Sequence, residues 1–466
     1  MPFHTLIIHD MIGDMQYTLP ILSLILFSLT LPLFNLGFIA WFALVPLMLF
    51  LVREVSSKKA LLVGGLFFFL YILFVIWPLT SVNVWWWVST NPLIFQYREL
   101  IIILVILIIA FYAGGIFGIL FAWGLRRKQN PFLVALLWSL LELLRLPTVA
   151  GFNWGILGYS QNEYLPILQI TKLIGVVGLS FVIVFVNTLI FKSIQAKKIS
   201  YFVYAALVVL IIFVFGSFQI REISGNTQVS VLHLDTSTED IYSTEKTSEI
   251  LSLVEKEFEK DPKIIVLPEN IFPTVILDQN FRPTAYQRSE LIRNIYDSLL
   301  GYSEKHPETI LLLGLHQQTV VLYNSVIAIE NGYVVGAYHK QRLMPFGEQG
   351  LPFITQNQLF SFAGGRENTI LIDNLEIQPL ICSEIAVPFQ ETDANLIINI
   401  SNDSIFDSSL VGKQNLIIAK VMAVQHQKYI LRSVKKGVSA IISPFGQILE
   451  QQDSKTSFLS TEINLE

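Results

Sequence analysis

The first half of the chain is a succession of long apolar runs with short polar breaks, and that pattern constrains the fold more than any other feature. A helix needs about 20 mostly apolar residues to cross the hydrocarbon core of a bilayer, and backbone at that depth must satisfy its own hydrogen bonds. The candidate spans are 17–33, 37–52, 60–82, 99–124, 131–147, 167–191 and 200–219. The first two are short and interrupted by Pro32, Asn35 and Gly37, so they read as two spans or as one bent segment or hairpin. Only 14% of the 466 residues are charged, against about 25% in an average soluble domain. The deficit lies before residue 220, beyond which the composition is that of an ordinary soluble protein. The expected division is therefore a helical membrane domain of about seven spans, 1–220, and a second domain, 221–466. The first 17 residues hold no Lys or Arg and no small-residue cleavage site, so no cleaved signal is expected.

Basic residues set the expected orientation. The loop after the second span carries Arg53, Lys58 and Lys59, the loop after the fourth Arg126, Arg127 and Lys128, and the loop after the sixth Lys192, Lys197 and Lys198. The intervening loops carry almost none, with Arg98 and Lys172 at span ends. Every second loop then faces the cytoplasm, the N-terminus lies inside, and an odd number of spans delivers the second domain to the far side. Trp85, Trp86 and Trp87 fall on that side and read as an interfacial aromatic belt. Glu142 and Arg145 are spaced i,i+3 near a span end, where a structural ion pair is expected.

From residue 228 short β-branched runs alternate with helical stretches. The expected strands are 229–235, 263–269, 309–316, 322–329, 333–339, 377–383, 396–401, 438–442 and 458–463, and the expected helices 244–259, 288–305 and 413–428. Apolar strands separated by helices indicate an α/β domain with buried sheets. The net charge of -5 and the lack of a basic arm argue against a nucleic-acid partner. No Cys/His cluster points to a metal, and no phosphate-loop glycine pattern is present, so no cofactor is expected.

The chain has one cysteine. Cys382 cannot pair within its own chain, and a free thiol beyond the membrane is a liability unless it is buried or used. Three ionisable residues are expected to end strands: Glu269, Lys340 and Cys382. Sites in α/β sheets form at carboxyl strand ends. A carboxylate can take a thiol proton, and an ammonium can stabilise both a thiolate and a tetrahedral oxyanion. The constellation suits acyl transfer through a thioester. Taken singly, Glu269 and Lys340 read by default as solvated strand ends, and Cys382 as an inert buried thiol.

Leu-Pro-Glu269, Tyr-His-Lys340-Gln-Arg-Leu-Met-Pro-Phe-Gly-Glu348 and Ile-Cys382-Ser-Glu384 resemble the Glu-Lys-Cys motifs of the nitrilase superfamily. With the preceding spans and Gly-Phe-Asn-Trp154-Gly-Ile-Leu-Gly-Tyr159-Ser-Gln, the chain resembles the apolipoprotein N-acyltransferases of the bacterial inner membrane. Ser-Asn402-Asp403 and Leu-Arg432-Ser with Gly437-Val-Ser-Ala fit the same family. The resemblance implies a multi-span α-helical membrane domain plus an α/β nitrilase-like (α-β-β-α sandwich) domain on the periplasmic side. It implies Glu269 as general base, Cys382 as nucleophile and Lys340 as oxyanion stabiliser, with Glu348, Glu384, Asn402, Trp154 and Tyr159 supporting the site or binding substrate. The implied reaction is ping-pong: an acyl chain passes from a membrane phospholipid to the thiol, then to the α-amino group of the diacylglyceryl-modified N-terminal cysteine of an apolipoprotein. The implied enzyme is a monomer. A membrane-bound site suits such substrates, since each CH₂ drawn from lipid into water costs about 0.8 kcal/mol.

The sequence departs from the family pattern in places. Ser383 replaces an aromatic residue, Ser404-Ile405-Phe406-Asp407 replaces Ala-Trp-Phe-Gly, Lys420 and Gln425 stand for Arg and Glu, and Val434-Lys435-Lys436 stands for Thr-Asn-Asn. The family usually closes with another span, where this sequence reads Ser-Thr-Glu-Ile-Asn-Leu-Glu. These departures keep two alternatives open: a membrane-tethered nitrilase-type amidase or thioesterase that uses water as acceptor, and a catalytically divergent lipid- or lipoprotein-binding homologue.

Overall fold

The structure is a computed structural model that describes residues 17–31, 33–53, 56–82, 96–145, 153–236, 243–272, 275–283, 290–344, 348, 364–365, 369–387, 393–406 and 408–465. Trp85, Trp86, Trp87 and Asp407 lie outside these residues. The chain forms two compact units, one of Met1–Thr80 with Glu99–Ile220 and one of Ser81–Arg98 with Arg221–Glu466.

In the helical unit, Ser57–Ser81, Arg98–Arg127, Thr171–Ala196 and Ile199–Ser217 are long and apolar enough to cross a membrane. Thr18–Ser28 and Gly37–Val52 are shorter apolar helices, and Pro131–Arg145 has 15 residues. Phe27, Phe68, Phe117, Phe121 and Trp138 pack edge-on or tilted at the centre of this unit. Ser57–Ile76 and Phe117–Arg127 cross in close contact, because a Cβ on Gly118 would sit 2.1 Å from the Gly64 carbonyl oxygen; small residues at such a crossing let two backbones approach. The turn at 153–164 is tied inward by polar contacts. Leu157 N–H donates to Glu142 Oε1 at 2.9 Å, Gly158 N–H to Ser180 Oγ at 2.8 Å, and Gln161 Nε2 to the Gly37 carbonyl at 2.7 Å. Glu142, expected to pair with Arg145, also receives the Trp138 indole N–H at 2.9 Å, and Arg145 donates to the Trp154 carbonyl at 3.3 Å. Both residues thus anchor the turn.

The α/β unit holds thirteen strands among the described residues: β1 (Thr227–His233), β2 (Ile264–Val266), β3 (Ile276–Leu277), β4 (Ile310–Gln318), β5 (Leu322–Glu330), β6 (Tyr333–His339), β7 (Ile370–Ile372), β8 (Leu375–Ile381), β9 (Leu396–Asn402), β10 (Tyr429–Lys435), β11 (Ser439–Ile442), β12 (Ile448–Gln452) and β13 (Ser457–Ile463). One sheet runs β13-β1-β2-β4-β5-β6, with β3 beside β4, and the other β12-β11-β10-β9-β8-β7. The inner faces share a core that includes Val231, Val266 and Leu312 from the first sheet and Ile381, Ile398, Ile400 and Leu431 from the second. The outer face of the first sheet packs on Ile250 and Val254 of helix Thr244–Phe258 and on Ile295 and Leu299 of helix Glu290–Lys305. Helix Ser409–His426, buried along most of its length, packs on β10 and β11. The result is the α-β-β-α sandwich.

Several strands differ from expectation. β10 was not expected, because Arg432, Ser433 and Lys435 give its sequence a polar look, yet all seven residues are buried. Arg432 lies in an ion pair with Asp403 at 3.2 Å and donates to the Val438 carbonyl at 3.1 Å and to Asn399. These contacts make the charge tolerable inside. β3, β7 and β12 are short or have exposed residues, which weakens an apolar signature.

Candidate active site

Glu269, Lys340 and Cys382 each lie just past a strand. The stretch expected as 263–269 leaves its ladder after Val266, although Leu267 N–H still donates to the Leu312 carbonyl at 2.8 Å. Pro268 has no N–H to donate, so Glu269 is carried into the loop beyond. Lys340 follows β6 directly. β8 stops at Ile381, two residues earlier than expected, because Cys382 has φ of 50°. This left-handed conformation is costly for a side chain with a Cβ, and it opens the turn Cys382–Ala386.

Glu269 and Glu348 are linked through Asn324 on β5. Asn324 Nδ2 donates to Glu269 Oε1 at 2.7 Å and to Glu348 Oε1 at 3.0 Å. The second Glu269 oxygen accepts from Asn402 N–H at 2.8 Å. Lys340 Nζ lies 2.9 and 2.7 Å from the two oxygens of Glu348, which also accepts from Met344 N–H at 2.8 Å. Lys340, Glu348, Glu269 and Asn324 are all buried, whereas Cys382 is half-buried. The Glu269 loop presses on β4: a Cβ on Gly314 would lie 2.6 Å from Glu269 Cα and 2.9 Å from Asn270 N, so only glycine fits there.

The charges act on one another. Burial pushes the Cys382 thiol up to about 12, Glu269 adds to the rise, and Lys340 opposes it. The resting sulfur is therefore a thiol. Burial also raises the Glu269 carboxyl, with Lys340 pulling it down and Glu348 pushing it further up. Burial acts to raise Glu348 as well, but the Lys340 ammonium and its hydrogen bonds more than reverse this and hold it below the ordinary range. Burial would lower Lys340, yet Glu348, Cys382, Glu269 and Glu384 together raise it, so it remains an ammonium. The cluster can accept a thiol proton at Glu269 and present a fixed positive charge close by.

The remaining expected residues have other placements. Glu384 accepts from the N–H groups of Ile381, Gln341 and Arg342 at 2.8–3.0 Å and from Tyr338 Oη at 3.0 and 3.1 Å. It clamps the Lys340 and Cys382 turns together. Asn402 reaches Glu269 with its backbone, while its side chain accepts from Ser404 N–H and Oγ. Trp154 and Tyr159 belong to the helical unit, one buried and the other half-buried. Asn324 was not singled out from sequence. Its one signal is a polar residue next to the apolar run Val326–Ile329, in a strand that was expected.

The sequence pattern of the apolipoprotein N-acyltransferase N-terminal domain matches residues 23–189, and that of the carbon-nitrogen hydrolase family matches residues 242–466. Among similar proteins, the apolipoprotein N-acyltransferase of Aquifex aeolicus is 27% identical over 93% of this chain and 95% of its own. That of Coxiella burnetii is 26% identical over 79% and 78%, and that of Rickettsia bellii 28% over 74% and 72%. A carbon-nitrogen hydrolase structure from Helicobacter pylori covers 51% of this chain and 89% of its own, with 17% identity and a TM-score of 0.40.

Proposed function

Because the chain belongs to the apolipoprotein N-acyltransferase family, a membrane branch of the carbon-nitrogen hydrolases, we propose that it transfers an acyl chain from a membrane phospholipid, through a thioester on Cys382, to the α-amino group of the diacylglyceryl-cysteine that begins an apolipoprotein. The observation that carries this reading is the buried network Glu269–Asn324–Glu348–Lys340 coupled to the left-handed Cys382 thiol.

In the first half-reaction the Glu269 carboxylate takes the thiol proton as Sγ attacks the ester carbonyl carbon of the phospholipid. The carbonyl π electrons move onto oxygen, and the Lys340 ammonium stabilises that oxyanion. Collapse breaks the C–O bond, and the departing lysophospholipid oxygen takes the proton from Glu269. The acyl group is left as a thioester. In the second half-reaction the acceptor amine attacks the thioester carbon, Glu269 takes a proton from nitrogen, and Cys382 leaves and regains it. An amide and the free thiol result. Glu348 holds Lys340 in place, and Asn324 fixes Glu269 against Glu348. In this reading the enzyme is a monomer in the bacterial inner membrane, with residues 221–466 on the periplasmic side.

The test is intact-protein mass spectrometry of detergent-solubilised protein incubated with phospholipid. A hydroxylamine-labile gain of one acyl chain in wild type, absent in Cys382→Ala, is expected. Folded wild-type protein that never gains the adduct, while releasing free fatty acid from the lipid, overturns transfer in favour of hydrolysis.

A further inference from the structure

One charged group beside this network has no role in the chemistry above. Lys435 is the last residue of β10 and is wholly buried. Among the described residues, its Nζ is without a hydrogen-bond partner. An ammonium so placed is costly unless an anion lies near it.

The backbone places it beside Glu269. Lys435 is paired across the parallel β9–β10 ladder with Asn402, whose N–H holds Glu269 Oε2 at 2.8 Å. On its other side it bridges to Leu234, just past β1. It follows Leu431 and Ser433 at the alternating positions of β10, and Leu431 belongs to the core between the sheets, so Lys435 caps that core at its Glu269 end. The titratable groups around the pair come from every neighbouring element. They are His233 on β1, His316 on β4, Lys340 and Glu348 after β6, Cys382 after β8, Asp403 after β9 and Arg432 on β10. Of these, Lys340 and Glu348 act directly on Glu269. Lys435 interacts electrostatically with Glu269 and His316. His233 Nδ1 is engaged by Ser439 Oγ at 3.0 Å and Asp403 by Arg432 at 3.2 Å. Lys340 is engaged by Glu348 at 2.7 Å. Lys435 thus stands as the second cation of the Glu269 end.

We propose that Lys435 is a positioning residue that acts through Glu269, its buried ammonium favouring the ionised carboxylate that takes the Cys382 proton. The inference rests on the roles given above to Glu269 and Cys382. Burial pushes Lys435 down to about 8, with Glu269 opposing the fall, so it still carries its proton at pH 7. Removing this charge leaves Glu348 facing Glu269 with one counter-cation fewer, and Glu269 then ionises at higher pH.

The test uses the full-length protein and needs no lipid. Cys382 is the only cysteine, so carbamidomethylation by iodoacetamide, followed by intact mass, reports this thiol alone. Wild type, Lys435→Met, Lys435→Arg and Glu269→Gln are compared from pH 5 to 9 after their melting temperatures establish that each is folded. The expected result is an acid limb about one pH unit higher in Lys435→Met, a roughly tenfold slower alkylation on that limb that disappears at high pH. In Lys435→Arg the limb returns toward the wild-type position. A limb that does not move in folded Lys435→Met, or an equal pH-independent loss in both Lys435 variants, overturns the inference. If Glu269→Gln also leaves the limb unchanged, Glu269 is not the base and the underlying reading fails. If Glu269→Gln abolishes the limb but Lys435→Met leaves it in place, only the role of Lys435 fails.

Discussion

At the scale of single residues, the site balances buried charges. Lys340 answers Glu348, and Glu269 is left as the carboxylate whose ionisation burial opposes. The sign of the pH dependence follows. Glu269 is a base only when deprotonated and its carboxyl is raised, so thioester formation is expected to fall as pH drops through that raised value. The acid limb should lie above the ordinary glutamate value of about 4.3, as single-turnover acyl-adduct formation across pH would show. In the proposed reaction Lys340→Met would remove the cation that stabilises the oxyanion and should slow that step by about 10²–10³, while phospholipid still binds in an equilibrium assay. Gly314→Ala, a change of one methyl, should displace the Glu269 loop and slow single-turnover acyl-adduct formation in protein whose melting temperature shows it still folded, since its Cβ would meet Glu269 Cα at 2.6 Å.

At the scale of elements, what could be read in advance depended on how each strand handles polarity. β4, β5, β6 and β9 are apolar runs with turn residues at their ends, and each was expected within a few residues. β10 was missed because a strand carrying Arg432, Ser433 and Lys435 does not look buried, and only the tertiary partner Asp403 makes it so. Glu269, Lys340 and Cys382, the proposed triad, could be picked out because they stand beside apolar strands, a position local in sequence. Asn324 was not, because its importance lies in joining two glutamates from separate loops. The Asp403–Arg432 pair supports β9 and β10 directly behind the site. Arg432→Met should leave Asp403 buried and unpaired and cost about 3–5 kcal/mol, read as a lower urea midpoint for the α/β unit.

At the scale of the whole molecule, the helical unit shows how composition outruns length. Segment 17–33 is apolar enough to suggest a span, but its helix, Thr18–Ser28, has 11 residues and is shorter than a bilayer crossing at about 1.5 Å per residue, whereas segment 131–147 runs beyond Arg145 into residues outside those described. The proposed orientation is open to direct measurement. In right-side-out spheroplasts, added trypsin is expected to cleave within 221–466 and to spare the basic loop containing Arg126, Arg127 and Lys128. Cleavage of that loop instead would place the α/β unit in the cytoplasm.

The register of β1 has a consequence for synthesis. β1 follows the last helix of the helical unit almost at once, yet it pairs along its whole length with β13, from Thr227 against Ile463 to His233 against Ser457. Roughly 220 residues separate the two strands, and at about 5–20 residues per second the ribosome takes on the order of 10–40 s to bridge them. During that interval β1 has an unsatisfied edge, and the first sheet cannot be completed until β13 has been made. The α/β unit therefore matures late, after the helices before it have been translated, and a nascent chain halted before β13 should remain open to protease.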